Sequence, residues 1–375
     1  MNIESGVHYV DTSAGIDAVI SALDGVSTIA VDTEFVRERT YYSRLCLIQV
    51  AAGEDIWCLD PLTIENATEL CAAIASDARV KIFHAARQDL EIFYNTTATV
   101  PGPIFDTQIA AALLGRPDQI AYAALVSELC GIDLDKSSSR TDWARRPLSD
   151  RQVQYAAGDV RHLGEIMNVL ETELKNRGRE QWFVEECGRL TAPELYKSEP
   201  ADAWRRLKGT DKLGAAEFTR MVQLAAWREA TAKTRDLPRG WVVKDDRLFV
   251  LARSAPETRA ELARIDGLSP GLIRRHGDEL LEAMNAGTHG DIDRPARKPR
   301  FTRFGKALLQ RLVEALKIRA REHEISMSLV ATRRDLEMAV GRQPGVRLYE
   351  GWREEFFGAE VRAAVEEHEP GTLCD

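Results

Sequence analysis

The sequence predicts an α/β fold, a mixed sheet flanked by helices, followed by an all-α region. Three observations carry that reading. β-Branched and apolar runs follow one another at short spacing up to residue 60, and strand and helix patterns then alternate up to residue 130. From Ser149 onward nearly every segment has helical periodicity. The 375 residues are 44% hydrophobic and 29% charged, an ordinary globular composition with room for two or three domains.

The first strand is expected at 27–36 (STIAVDTEFV), on its β-branched content. Residues 44–50 (RLCLIQV) and 55–60 (DIWCLD) follow so closely that an antiparallel meander is expected. Residues 65–76 have a helix pattern, 80–84 (VKIFH) that of a short buried strand, and 86–94 that of a helix. Ile104 and Phe105 lead into Asp106 and a helix to Leu114, and 121–130 is another helix. A meander followed by strand–helix units gives a mixed sheet covered by helices.

Ser149 and Gln152 have capping-box spacing, Pro147 sits just before, and the helix they open is expected to run to about residue 175. Helical patterns continue at 179–190, 201–207, 215–234, 257–265, 271–284, 306–323, 329–340 and 354–367. Residues 285–303 (NAGTHGDIDRPARKPRFTR) have no apolar periodicity and carry a basic cluster, Arg294, Arg297, Lys298, Arg300 and Arg303. Such a linker is either a solvated tether or a contact for RNA. A loose repeat spans it at an offset of 88: Leu224, Leu237 and Leu248 map onto Leu312, Ile325 and Leu336, and Asp236 onto Glu324. Two similar helical modules of about 80 residues account for that.

No run approaches the roughly 18 apolar residues of a membrane helix, and Met1-Asn2-Ile3-Glu4-Ser5 is polar, so a cytoplasmic protein is expected. Six cysteines, none in a C-x-x-C pair and most within apolar runs, argue against a zinc knuckle or a disulfide scaffold. The net charge of −9 divides into −12 over residues 1–190 and +3 over 191–375, so the two halves are expected to do different work.

The acidity of the first half concentrates into chemistry at three places. Asp32 and Glu34, at i and i+2 within the first strand, project two carboxylates from one face, against the hydrophobic logic of a central strand. Unpaired buried carboxylates are costly, so something cationic should meet them. Tyr155 and Asp159, four apart on the capped helix, share a face, with small Ala156, Ala157 and Gly158 between them. Asp89 lies one turn into the helix after a buried strand, where an aspartate is also favourable for the helix dipole. Each feature alone has a plain structural explanation.

In chain order these residues form D-x-E, D and Y-x-x-x-D, and there the sequence resembles the DEDD exonucleases of the tyrosine subclass. The likeness extends through 31–42 (VDTEFVRERTYY), 84–90, 105–112 (FDTQIAAA) and 134–159, which resemble the bacterial ribonuclease D family, strongly through about residue 285 and more weakly from 304 on. Residues 227–252 and 265–281 resemble the helical HRDC-type module shared by helicases and ribonuclease D. The resemblance implies a ribonuclease-H-like exonuclease domain at 1–190, a first HRDC-type domain at 191–287, a basic linker at 288–303 and a second, divergent HRDC-type domain at 304–375. It implies a 3′–5′ exoribonuclease releasing 5′-nucleoside monophosphates from structured RNA precursors, chiefly transfer RNA with extra 3′ nucleotides. Asp32, Glu34, Asp89 and Asp159 would hold two divalent cations, Mg²⁺ or Mn²⁺, that clamp the attacking and leaving oxygens. Tyr155 would position the attacking water and share in accepting its proton; its ordinary value near 10 makes it a poor base unaided.

Other positions admit two readings each. Asp106 is expected first as an N-cap, and His84 as a core histidine or a ligand. Phe35 has a ring for stacking on a base or for the core, and Arg140 and Trp143 would contact phosphate or order their loop. Arg205, Arg206, Lys208, Arg274, Arg275, Arg297 and Lys298 are candidates for RNA phosphates. A DNA exonuclease uses the same carboxylates, and an inactive scaffold is the alternative outside enzymes. With no G-x-x-x-x-G-K-[ST] loop, an NTP-driven motor is excluded. A monomer without membrane association is expected.

Overall fold

A computed structural model of the chain describes residues 4–65, 67–76, 79–134, 141–287, 299–369 and 371–374. These pack as two units. The first takes its described residues from Met1–Val36, Leu45–Tyr196 and Pro299–Asp375, the second from Arg37–Arg44 and Lys197–Lys298.

The first unit is built on six strands: β1 (Val7–Val10), β2 (Thr28–Val36), β3 (Arg44–Ala52), β4 (Asp55–Leu59), β5 (Val80–Phe83) and β6 (Ile104–Asp106). They lie in the order β1-β4-β3-β2-β5-β6. β3 and β4 pair antiparallel, while β1–β4, β2–β5 and β5–β6 are parallel, so the sheet is mixed as expected. β2 is central, and Ile29, Ala30 and Val31 are buried there just before its carboxylates. Helices α1 (Ser13–Ala22), α2 (Ala67–Ser76), α3 (Arg87–Thr97), α4 (Thr107–Leu113), α5 (Tyr122–Cys130), α6 (Asp150–Arg161), α7 (Leu163–Asn176) and α8 (Glu180–Leu190) surround it. β1 and α1 escape the sequence reading, because a four-residue strand has no readable period and α1 buries only Ile16 and Val19.

The helix expected over 149–175 is two helices, α6 and α7, divided at His162. The cause is Tyr122. Its hydroxyl donates to the Gly158 carbonyl and accepts from the His162 N–H, both at 3.2 Å. These two backbone groups would otherwise bond each other as i and i+4, so a side chain inserted into the ladder makes the break.

In the second unit α9 (Ala215–Thr234), α10 (Arg239–Val242), α11 (Asp245–Ser254), α12 (Arg259–Leu262) and α13 (Pro270–Asn285) follow a 3₁₀ segment, Pro200–Arg206, where an α-helix was expected. Their core gathers Leu224, Leu248 and Leu251. One buried carboxylate organises the charges: Glu229, 1% exposed, accepts from Arg239 (2.5 and 2.8 Å), Arg206 (2.8 Å), Ser198 (2.5 Å) and the Tyr41 hydroxyl.

The remaining helices, α14 (Arg303–Glu322), α15 (Met327–Val330), α16 (Arg333–Val340) and α17 (Ala359–Glu366), belong to the first unit and share its core. The repeat at offset 88 is structural. α14 begins and ends 88 residues after α9, α15 begins and ends 88 after α10, and α16 begins 88 after α11. Asp236 and Glu324, the same distance apart, both take left-handed backbone, φ 48° and 45°. The two helical modules differ in what they bury. In the C-terminal one, Trp352 stacks on Trp182 of α8 at 4.6 Å, and fully buried Arg353 forms a fork on Glu186 at 2.5 and 2.8 Å. No helix among the described residues is long and apolar enough to cross a membrane.

Candidate active site

β2 presents Asp32 and Glu34 from one face, and α6 brings Asp159 to them. One carboxylate oxygen from each of the three lies within 4.8 Å of the others. α6 packs on β2 and β4, and the fully buried Ala156 and Ala157 keep that approach short. Its first turn is fixed by the expected capping box: Gln152 N donates to Ser149 Oγ (3.3 Å) and Ser149 N to Gln152 Oε1 (3.0 Å).

All three carboxyls are raised, first by burial. Burial and then the Asp159 charge push Asp32 up to about 8. Burial followed by the charges of Asp32, Asp159 and Asp89 pushes Glu34 up to about 9, and burial raises Asp159 to about 7. Three hard oxygen donors that resist ionisation in the protein alone are a donor set for a hard divalent cation. The site therefore fits the divalent cation that the resemblance implies.

Asp89 stands beside this set, outside it. It is 6% exposed in the first turn of α3, and its Oδ1 accepts a 2.5 Å bond from Thr33, the residue between Asp32 and Glu34. Burial and then the Asp32 charge raise it well above the carboxylate range. Tyr155, one turn before Asp159, is partly exposed; burial and the charges of Asp159, Glu34 and Asp32 push its phenol above its ordinary value. The hydroxyl is therefore protonated at neutral pH in the protein alone.

The neighbouring polar residues hold backbone in place. Asp106 is the N-cap of α4, accepting from Gln108 N (2.9 Å) and Ile109 N (3.3 Å), and it also accepts from Ala85 N (3.2 Å) and Ala86 N (2.8 Å). It thereby holds Ala85 in left-handed backbone (φ 62°) at the entrance to the Asp89 helix. His84 is engaged at both ring nitrogens, with Thr107 Oγ1 and the Ile120 carbonyl at 2.9 Å each, so it is a structural histidine. Sequence reasoning missed Arg146, which grips Asp60 at the end of β4 through two nitrogens and bonds the carbonyls of Cys46 (2.6 Å) and Trp143 (2.7 Å). Nothing in the local pattern separates Arg146 from Arg145; only the fold does.

The candidate RNA contacts divide. Trp143 is 4% exposed, its ring 6.2 Å from that of Tyr155, a burial that suits ordering its loop more than contacting phosphate. Arg206 pairs with Glu229, and Arg205 with Asp202 and the Trp204 ring, and both arginines stay exposed. Phe35 is partly exposed beside Glu34, and Lys208, Arg274 and Arg275 are exposed. Arg140, Arg297 and Lys298 lie outside the described residues.

Comparison with known proteins now decides the family. A family model described as 3′–5′ exonuclease matches residues 7–175, and one described as HRDC domain matches 217–284. Ribonuclease D of Nitrobacter hamburgensis is 38% identical over 93% of this chain and 92% of its own, and that of Sphingobium indicum is 39% identical over 90% and 89%. The chain belongs to the ribonuclease D family. Its activity is that of a metal-dependent 3′–5′ exoribonuclease. The crystal structure of Escherichia coli RNase D, an exoribonuclease involved in structured RNA processing, is similar with a TM-score of 0.85 and 32% identity, covering 99% of this chain and all of that one. The catalytic core of RRP6 from Trypanosoma brucei, 23% identical with a TM-score of 0.57 over 76% of this chain and 79% of that one, shares the fold.

Proposed function

We propose that this ribonuclease D family member trims extra 3′ nucleotides from structured RNA precursors, chiefly transfer RNA, and releases 5′-nucleoside monophosphates. The observation that carries the assignment of the site is the convergence of Asp32, Glu34 and Asp159 from two elements, with Tyr155 on the same helix. Asp32, Glu34 and Asp159 would hold divalent cations, with Asp89 supporting a second one from beside the set. Two Mg²⁺ or Mn²⁺ ions there would acidify the attacking water and neutralise the departing 3′-oxygen.

The chain's own residues supply the rest. Asp32 would serve both cation positions: its oxygen lies within 4.8 Å of those of Glu34 and Asp159, and its charge acts on Asp89. Thr33 holds Asp89 in a fixed rotamer through its 2.5 Å bond. Tyr155, packed near Trp143, would orient the water through its hydroxyl and share in accepting its proton. Phe35, next to Glu34 on β2, is offered for stacking on the terminal base, and Arg274 and Arg275 for phosphate contacts. The element boundaries at offset 88 support reading residues 304–375 as a second, divergent HRDC-type module after a basic linker at 288–303. Six free thiols suit a reducing cytoplasm, and we read the enzyme as a monomer there.

The test is digestion of 5′-labelled RNA and DNA of one sequence, with Mg²⁺, with Mn²⁺ and with EDTA, beside a transfer-RNA precursor. A metal-dependent ladder shortening from the 3′ end of RNA alone is expected. Asp32→Asn and Asp159→Asn should abolish it, and Tyr155→Phe should lower it severely but less completely. Equal shortening of DNA would move the function towards repair.

A further inference from the structure

Away from the carboxylate set, a second group of metal-ligating side chains converges. Cys130 is the last residue of α5, His162 sits at the break between α6 and α7, and Glu165 lies in the first turn of α7. One ligand atom from each, thiol, imidazole and carboxylate, lies within 4.8 Å of the others. His162 Nδ1 is 3.9 Å from Glu165 Oε2. None of the three belongs to the exonuclease motifs; α5 packs on α7, and Tyr122, on the same helix as Cys130, bonds the backbone at the break that carries His162.

The donor types differ in kind from those of the active site. Sulfur, nitrogen and oxygen together select a borderline metal such as zinc over magnesium. Tetrahedral zinc with ordinary bond lengths sets such ligand atoms about 3.3–3.6 Å apart, so the histidine–glutamate pair needs to close by roughly 0.5 Å. Glu165 has a side chain 60% exposed and His162 one 14% exposed, which gives an ion a path in from solvent and a side for water as the fourth ligand.

We propose that Cys130, His162 and Glu165 form a zinc site that ties the end of α5 to the α6–α7 junction, one helical turn beyond Asp159. On binding, the thiol proton leaves to solvent and the sulfur–metal bond takes its place.

The experiment uses the full chain carrying Asp32→Asn, so that the carboxylate set is disabled, and titrates it with Co²⁺ alone and then with Zn²⁺. One equivalent of Co²⁺ should give a thiolate-to-cobalt charge-transfer band, which oxygen ligands cannot produce, and Zn²⁺ should abolish it. Adding Cys130→Ser should remove the band, and adding Glu165→Gln, at an exposed position, should weaken Co²⁺ binding at least about tenfold. Cys130→Ser alone should keep the parent's Mg²⁺-supported exonuclease rate. Absence of the band in the Asp32→Asn chain, its persistence in the Cys130→Ser variant, or equal affinity after both Glu165→Gln and His162→Gln would overturn the site.

Discussion

Asp32→Asn should leave the chain inactive and, without metal, more stable than its parent. The carboxylate oxygens of Asp32, Glu34 and Asp159 are at most 4.8 Å apart. At an effective dielectric of about 20, each fully ionised pair repels by about 3.5 kcal/mol. Replacing Asp32 removes two such pairs, and protons retained by the cluster relieve part of the repulsion beforehand, which leaves a gain of about 2–4 kcal/mol. At about 2 °C per kcal/mol for a unit of this size, the unfolding midpoint in EDTA should rise by about 4–8 °C. The sign with pH follows from the raised values. A carboxyl held at about 7 to 9 in the folded chain and near 4 in the unfolded one loses stability as pH rises through that window. The advantage of the variant should therefore be large at pH 9 and small at pH 5, and excess Mg²⁺ should stabilise the parent more than the variant. Thermal unfolding in EDTA and in Mg²⁺ at both pH values measures this. An asparagine variant no more stable than the parent at pH 9 would refute the argument that the site is held under charge repulsion.

Three further predictions concern packing and hydrogen bonds in the first unit. Tyr122→Phe leaves the Gly158 carbonyl and the His162 N–H without their bridge; denaturant unfolding should show a loss of about 1–3 kcal/mol, with turnover falling as Asp159 shifts, and an unchanged midpoint and rate would mean the break has another cause. Glu186→Ala strands the buried Arg353 guanidinium, and the first unit should lose about 3–5 kcal/mol. Although burial opposes it, the Arg353 fork holds Glu186 below its ordinary value, so in the parent this contribution is present above about pH 4.3 and is lost as pH falls through the depressed value; acid titrations of parent and variant should converge there. At Gly305, in the first turn of α14, a Cβ would stand 2.0 Å from the Leu373 carbonyl oxygen; Gly305→Ala should displace the C-terminal segment and expose it to limited proteolysis, and a variant as resistant as its parent would refute that contact.

Much of the chemistry was legible because it rests on short patterns. The i, i+2 carboxylates of β2, the i, i+4 pair of α6 and the capping box at Ser149 are local features with fixed geometric meaning. The offset-88 repeat was visible because buried positions of equivalent helices keep apolar residues. Boundaries set by distant groups were not legible. The division at His162 depends on a tyrosine 40 residues earlier, and α10 and α11 are short segments held by the core around them.

By itself, then, the sequence pointed to the candidate residues for the chemistry, the order of the mixed and helical parts and the capped starts of α4 and α6, since propensity, capping and periodicity act over a few residues. Tertiary structure alone decided that Asp32, Glu34 and Asp159 form one set while Asp89 stands beside it against Thr33. It also decided that Trp143 is buried and that Arg206 pairs with the buried Glu229, and that two modules with matching helix boundaries bury different surfaces. The physical reason is the same in each case. Burial, charge repulsion and hydrogen-bond completion depend on groups far apart in the chain, and these meet only when the chain is folded.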